Sequence, residues 1–113
     1  MRVYLDDIRE TPEGWVRTYS SAETIDLLKT GKVKELSLDH DLGFEDDRDN
    51  GYKVVLWLEE QVIVNRFDPP TNITVHSDNA SAIQKMIAGI SQIQRKAAEN
   101  EREDINLPWP PGC

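Results

Sequence analysis

The chain has a single cysteine, Cys113, at its last position, so no disulfide closes within it and a zinc site built on several thiolates is excluded. It has no apolar run of membrane-spanning length and no basic start followed by an apolar signal core, which reads as a soluble cytoplasmic protein without a membrane partner. Basic residues are also scarce, with 13 Lys and Arg against 21 Asp and Glu and a net charge of −8. That balance excludes a broad nucleic-acid groove, because backbone phosphates are held by clustered cations. A small anionic ligand stays compatible if a metal and a few positioned cations receive it. No internal repeat is visible.

What is present suffices for one globular domain. At 113 residues, with 38% hydrophobic residues, three Trp and several β-branched runs, the chain can bury a core without disulfide or metal staples. Val3 to Asp6 reads as a first strand, and Thr11-Pro12-Glu13-Gly14 as a turn into a second, Trp15 to Tyr19. Ser20, three before Glu23, is a capping-box signature, so a first helix is predicted over 21–30 with Gly31 as its stop. Leu36 to Leu38 forms a third strand, and residues 43–51 form an acid-rich loop. From Tyr52 a helix apolar on more than one face runs toward Pro69-Pro70, and Asn72 to Val75 gives a fourth strand. Ile83, Met86, Ile87, Ile90 and Ile93 then repeat at helical steps, which is core filling. The predicted domain covers 1–94. Residues 95–113 form a charged, Pro-rich extension whose first part can lengthen the helix on a solvated face.

Strands alternating with helices imply a parallel sheet with right-handed crossovers. The first connection, residues 8–14, is too short for a helix. It either crosses irregularly to a parallel neighbour or closes a hairpin.

Three of the strands end in polar residues: Leu5-Asp6-Asp7, Leu38-Asp39-His40-Asp41 and Val75-His76-Ser77. Ligands of open α/β sheets bind outside the carboxyl ends of strands, so these runs describe one acidic pocket. Clustered carboxylates repel one another and persist together when a cation or a shared proton offsets the cost. Asp6, Asp7, Asp39 and Asp41 are hard oxygen donors that suit Mg²⁺ or Mn²⁺, and Asp39 is the leading ligand or nucleophile. An EF-hand beginning at Asp39 fails, since Phe44 stands where that loop turns on Gly. His40 and His76, the only two histidines, are candidates for proton transfer. Arg9 can take a phosphate bidentately, Ser77 can bind phosphate oxygen, and Asp78 or Asn79 can cap the third helix.

The set Leu5-Asp6-Asp7-Ile8-Arg9, Ser37-Leu38-Asp39-His40-Asp41-Leu42-Gly43 and Val75-His76-Ser77-Asp78-Asn79 resembles the cyclic-phosphate processing receiver-like family. The resemblance runs from Met1 to about Gln94, and Leu-Asp-His-Asp-Leu-Gly is its most specific part. It implies a small three-layer α/β fold, a reduced flavodoxin-like domain with a mostly parallel four-stranded sheet and helices on both faces. By the same resemblance Asp6 and Asp7 look like the receiver acidic pair, Asp39 like the phosphoacceptor and Ser77 like the receiver hydroxyl. His40, Asp41 and His76 look like additions. The expected activity is metal-dependent processing of a cyclic or terminal phosphate on a small nucleotide. Two alternatives stand beside it. One is a protein that sequesters a cyclic nucleotide without hydrolysing it. The other is a phosphoacceptor interaction module, weakened because no fifth strand ending in Lys follows the third helix.

Overall fold

The computed structural model describes residues 1–42 and 49–106, with side chains described through residue 102. Seven elements follow in chain order: β1 (Arg2–Leu5), β2 (Val16–Thr18), α1 (Ser21–Leu28), β3 (Glu35–Leu38), α2 (Tyr52–Asn65), β4 (Asn72–Val75) and α3 (Ala80–Asn106). The strands form one sheet in the order β2-β1-β3-β4, and every neighbouring pair is parallel. The first connection is therefore an irregular crossover, with Val3 opposite Val16, and the hairpin does not form. Among the described residues no helix is long and apolar enough to cross a membrane.

Local chemistry explains where the helices begin. Ser20 caps α1, its hydroxyl accepting from Glu23 N–H at 3.2 Å, while the Glu23 carboxylate accepts from Tyr19 N–H at 3.2 Å. Asn79 caps α3, its side-chain oxygen accepting from Ala82 N–H at 3.1 Å. Gly51 stands at the N-cap of α2, and its N–H donates to the His40 carbonyl at 3.1 Å. The α2 chain ends at Arg66 in a left-handed conformation, φ 55°, ahead of Pro69-Pro70.

The receiver-like α/β fold with a parallel four-stranded sheet is as expected, but its layering is not. Val3 and Leu5, Leu36 and Leu38, and Ile73 stand side by side in register and are buried in one cluster with residues of all three helices: Leu28, Val54, Val55, Leu58, Val62, Met86, Ile90 and Ile93. The expected helices on both faces are corrected to helices on one. The cause is topological. From β2 to β3 and from β3 to β4 the chain steps the same way across the sheet, so right-handed crossovers put α1 and α2 on the same side. Only the step from β1 to β2 runs the other way, and residues 8–14 leave no room for a helix. Among the described residues the opposite face carries Tyr4, Ser37, Thr74 and Arg17 without a helical cover.

The α3 helix continues past residue 94 without a break. Ala97 packs against the core, and the buried Asn100 donates from Nδ2 to the Val62 carbonyl at 3.0 Å. Of the acidic loop, residues 43–48 lie outside the described part. Its far end is anchored, with the Asp49 carboxylate accepting from Ser21 N–H at 3.0 Å and from the Ser21 hydroxyl, and Asn50 bridging to Asp41. The Pro-Trp-Pro-Pro segment also lies outside the described residues.

Gly51 is required where α2 meets the end of β3. A Cβ there would stand 2.0 Å from the Asp39 carbonyl oxygen, a backbone atom that cannot step aside. Gly51→Ala is expected to cost about 1–3 kcal/mol in urea unfolding, as overpacking does, with an unchanged m-value. Unchanged stability would show that the Asp39 backbone is not fixed there.

Candidate functional site

Hydrogen bonding continues one residue beyond the strands. Asp6 N–H donates to the Thr18 carbonyl (3.1 Å), Asp39 N–H to the Leu5 carbonyl (3.0 Å) and His76 N–H to the Leu38 carbonyl (2.9 Å). Leu5 and Leu38 face the helices, so by alternation Asp6, Asp39 and His76 come next on the uncovered face, in line across three adjacent strands. The chain leaves β1 toward one edge and returns past it to β3. Asp6 and Asp39 therefore flank the point where strand order reverses, the crevice in which open α/β sheets take ligands.

Asp6 is fully buried and receives four donors. Its Oδ1 accepts from Ile8 N–H (2.8 Å) and Arg9 N–H (2.9 Å), and its Oδ2 from Arg9 Nη1 (3.1 Å) and His76 Nε2 (3.0 Å). Burial pushes this carboxyl up, but the two backbone donors, the guanidinium and the imidazole outweigh burial and hold it below the usual carboxylate range. Asp6 is an anion at neutral pH.

Asp39 has the opposite balance. Burial raises its pKa, repulsion from Asp6 adds to that, and Arg9 with the N–H groups of Asp41 and His40 offsets only part. The Arg9 Nη1 lies 3.4 Å from Asp39 Oδ2, while Nη2 pairs with Asp78 at 2.8 Å. One guanidinium thus serves as the counter-ion of three carboxylates. Asp7 completes the cluster: one carboxylate oxygen from each of Asp6, Asp7 and Asp39 lies within 4.8 Å of the others. Asp7 Oδ1 is buried without a hydrogen-bond partner among the described residues. Hard oxygen donors at this spacing, on three residues of which one also has a buried oxygen unpartnered among the described residues, fit a divalent cation such as Mg²⁺ or Mn²⁺.

His76 is held on three sides. Nε2 faces ionised Asp6 and so carries the proton, which leaves Nδ1 to accept from the Ser37 hydroxyl at 2.6 Å. Its ring stacks on Tyr4 with centroids 4.2 Å apart and planes 3° apart. Burial pushes its pKa down, and the pull of Asp6 does not reverse this. The imidazole is neutral and fully engaged.

The structure brings Asp6, Asp7, Asp39, Arg9 and His76 together at the strand ends, while Asp41, His40 and Ser77 make their own hydrogen bonds outside that set. Asp41 is exposed and accepts from His40 Nδ1 at 2.8 Å. The Ser77 hydroxyl accepts from Asn79 N–H at 3.2 Å. Sequence reasoning missed Ser37, Tyr4 and the pairing of Asp78 with Arg9. For Ser37 and Tyr4 a signal existed: each lies two residues before a site aspartate and shares its face.

A groove of about 650 Å³, lined by Arg66, Phe67, Pro69, Pro70 and Ala97 among others, lies between the approach to β4 and α3. It is at the opposite ends of the strands and shares no residue with the cluster. The fold and the acidic strand ends define a receiver-like α/β domain with its site at the topological switch point. Residues 1–92 match the model of the cyclic-phosphate processing receiver domain, and the chain belongs to that family. No curated protein and no solved structure matches it.

The His76 environment sets a pH dependence. Its pKa is lowered from 6.5 in the folded protein, so as pH falls through that value the unfolded chain takes up a proton that the native one refuses, and stability falls. Asp6, lowered from 3.8, contributes stability above that value that is lost as pH falls below it, whereas raised Asp39 acts in the opposite sense just above 3.8. In metal-free buffer the urea midpoint is expected to drop between pH 7.5 and 5.5, and His76→Gln to flatten that drop. An equal slope in the variant would contradict the assignment.

Proposed function

We propose that this domain is a metal-dependent phosphoesterase that hydrolyses a cyclic or terminal phosphate on a small nucleotide. The observation that carries the reading is the cluster of Asp6, Asp7 and Asp39, with Asp7 Oδ1 buried and without a hydrogen-bond partner among the described residues and a guanidinium against Asp39. These three carboxylates would hold Mg²⁺ or Mn²⁺. Such a cation, when bound, offsets their repulsion, polarises a phosphoryl oxygen and makes water a stronger nucleophile.

The chain's own residues have distinct tasks. Arg9 is partly exposed, and its bond to the almost fully exposed Asp78 is the cheapest to exchange, so it turns toward a phosphate oxygen. The Ser77 hydroxyl, which accepts from Asn79, keeps its proton for a second phosphate oxygen. Hydrolysis forms one P–O bond from water and breaks another, so one proton must leave the water and one must reach the departing oxygen. His40 suits that transfer: Asp41 holds Nδ1, and Nε2 has no partner among the described residues. His76 keeps Asp6 ionised and oriented, and is a positioning residue.

Binding without hydrolysis is the second reading, favoured by one observation: the imidazole in contact with Asp6 has both nitrogens engaged. The phosphoacceptor reading lacks its cation, since α3 follows β4 directly and no fifth strand occurs among the described residues.

The test is chromatography of a cyclic-nucleotide panel incubated with the protein and Mg²⁺ or Mn²⁺, sampled before and after denaturation. Metal-dependent product is expected, and Asp39→Ala is expected to lower turnover at least about a hundredfold with the fold retained, as loss of a ligand in a Lewis-acid site does. Intact nucleotide recovered only after denaturation would replace hydrolysis with sequestration. Full turnover in Asp39→Ala would remove the site altogether.

A further inference from the structure

The uncovered face of the sheet holds two residues that the phosphate site does not use, Arg17 and Tyr19, at its β2 edge. Arg17 stands in register with Tyr4. By alternation Tyr19 follows it on the same face, beside Asp6, whose N–H bonds the carbonyl of Thr18. Tyr19 is 53% exposed, and the Arg17 guanidinium carbon lies 5.1 Å from its ring centroid. Arg17 in turn donates to the carbonyl of Arg9. Glu23 fixes the Tyr19 backbone through its N–H. An aromatic ring is thus presented to solvent, backed by a cation and tied through one side chain to the loop carrying the phosphate-receiving arginine.

We propose that Tyr19, backed by Arg17, is the stacking platform for the nucleobase of the ligand whose phosphate is received at Arg9 and Asp39. The inference rests on the phosphate reading above and adds to it the part of the ligand that the carboxylate cluster cannot recognise. Adjacent strands lie about 4.8 Å apart, so the backbone of Tyr19 is about 5 Å from that of Asp6 and about 10 Å from that of Asp39. The ribose spans the interval over Asp6, with the phosphate at one side and the base at the other. The guanidinium occupies one face of the ring and leaves the other to the base. Stacking accepts any base, because each has a π-face, so this platform selects nucleotides over other cyclic phosphates without selecting one base.

The experiment compares wild type, Tyr19→Ala and Tyr19→Phe, full chain with Mg²⁺, for 2′,3′-cyclic AMP, 3′,5′-cyclic AMP and the base-free ethylene cyclic phosphate. The reading is Kd, or KM where a probe is turned over. Wild type is expected to prefer at least one nucleotide to the base-free ester. Tyr19→Ala is expected to weaken that nucleotide about 5- to 100-fold, the range of one base on an aromatic side chain. Tyr19→Phe, which keeps the ring, stays close to wild type, and the base-free ester is affected by neither change. If Tyr19→Ala alters the nucleotide and the base-free ester alike, or neither, the platform is refuted while the phosphate site stands. Wild type that takes the base-free ester as tightly as the nucleotides refutes it too. Wild type that takes no probe refutes the phosphate reading and the platform together.

Discussion

The carboxylate of Asp6 sits in the sheet with no exposure to water and stays charged, which is tenable only because four donors converge on it. Each comes from a part of the chain that must be placed correctly. The Ile8 and Arg9 N–H groups fold the β1–β2 connection into a turn, the Arg9 guanidinium brings that turn against Asp39 and Asp78, and His76 ties the end of β4 to the end of β1. A buried ion pair broken on one side costs several kcal/mol, so these contacts stand or fall together. The consequence for chemistry is an ordered pocket edge. Asp6 is held ionised by its four donors, Asp39 is pushed toward its neutral form by burial and by its neighbour's charge, and Asp7 has a buried oxygen without a hydrogen-bond partner among the described residues.

Placing all three helices on one face gives the second constraint. Apolar residues of β1, β3 and β4 are used up against α1, α2 and α3, and the other face is left to Tyr4, Ser37, Arg17 and His76. These residues make hydrogen bonds and ring contacts that do not depend on a hydrophobic cover, such as Tyr4 stacked on His76 and edge-on to Trp15 with centroids 6.2 Å apart. A short β1–β2 loop therefore does two things at once. It removes a helix from that face, and it delivers Asp7 and Arg9 to the carboxyl ends of the strands.

Much of this was legible in the sequence because strong local signals agreed. Apolar runs ending in Asp6, Asp39 and His76 located three strand ends, Ser20 marked the start of the first helix, and of the two cap candidates for the third, Asp78 and Asn79, the structure uses Asn79. The layering was not legible, since it depends on strand order, and no local feature of residues 8–14 reveals on which side of β1 the second strand lies. Asp39 and Asp41 share strand parity, yet the chain turns after Asp39 to meet Gly51, so Asp41 departs from the cluster and pairs with His40. The partnership of Asp78 with Arg9 joins residues 69 apart and is a tertiary fact. Ser37 could have been found. A single polar residue between Leu36 and Leu38, two before a site aspartate, is placed by the pleat on the site's own face.

The central claim is that Asp6, Asp7 and Asp39 form a divalent-cation site at the strand ends. Its most direct test is a titration of the metal-free protein with Mn²⁺ followed by electron paramagnetic resonance of the free ion, in wild type and in Asp7→Asn. The account predicts saturable uptake of one Mn²⁺ per chain that Asp7→Asn abolishes or weakens at least about tenfold, as loss of an anionic ligand does. Uptake that never saturates, or that Asp7→Asn leaves unchanged, would contradict it.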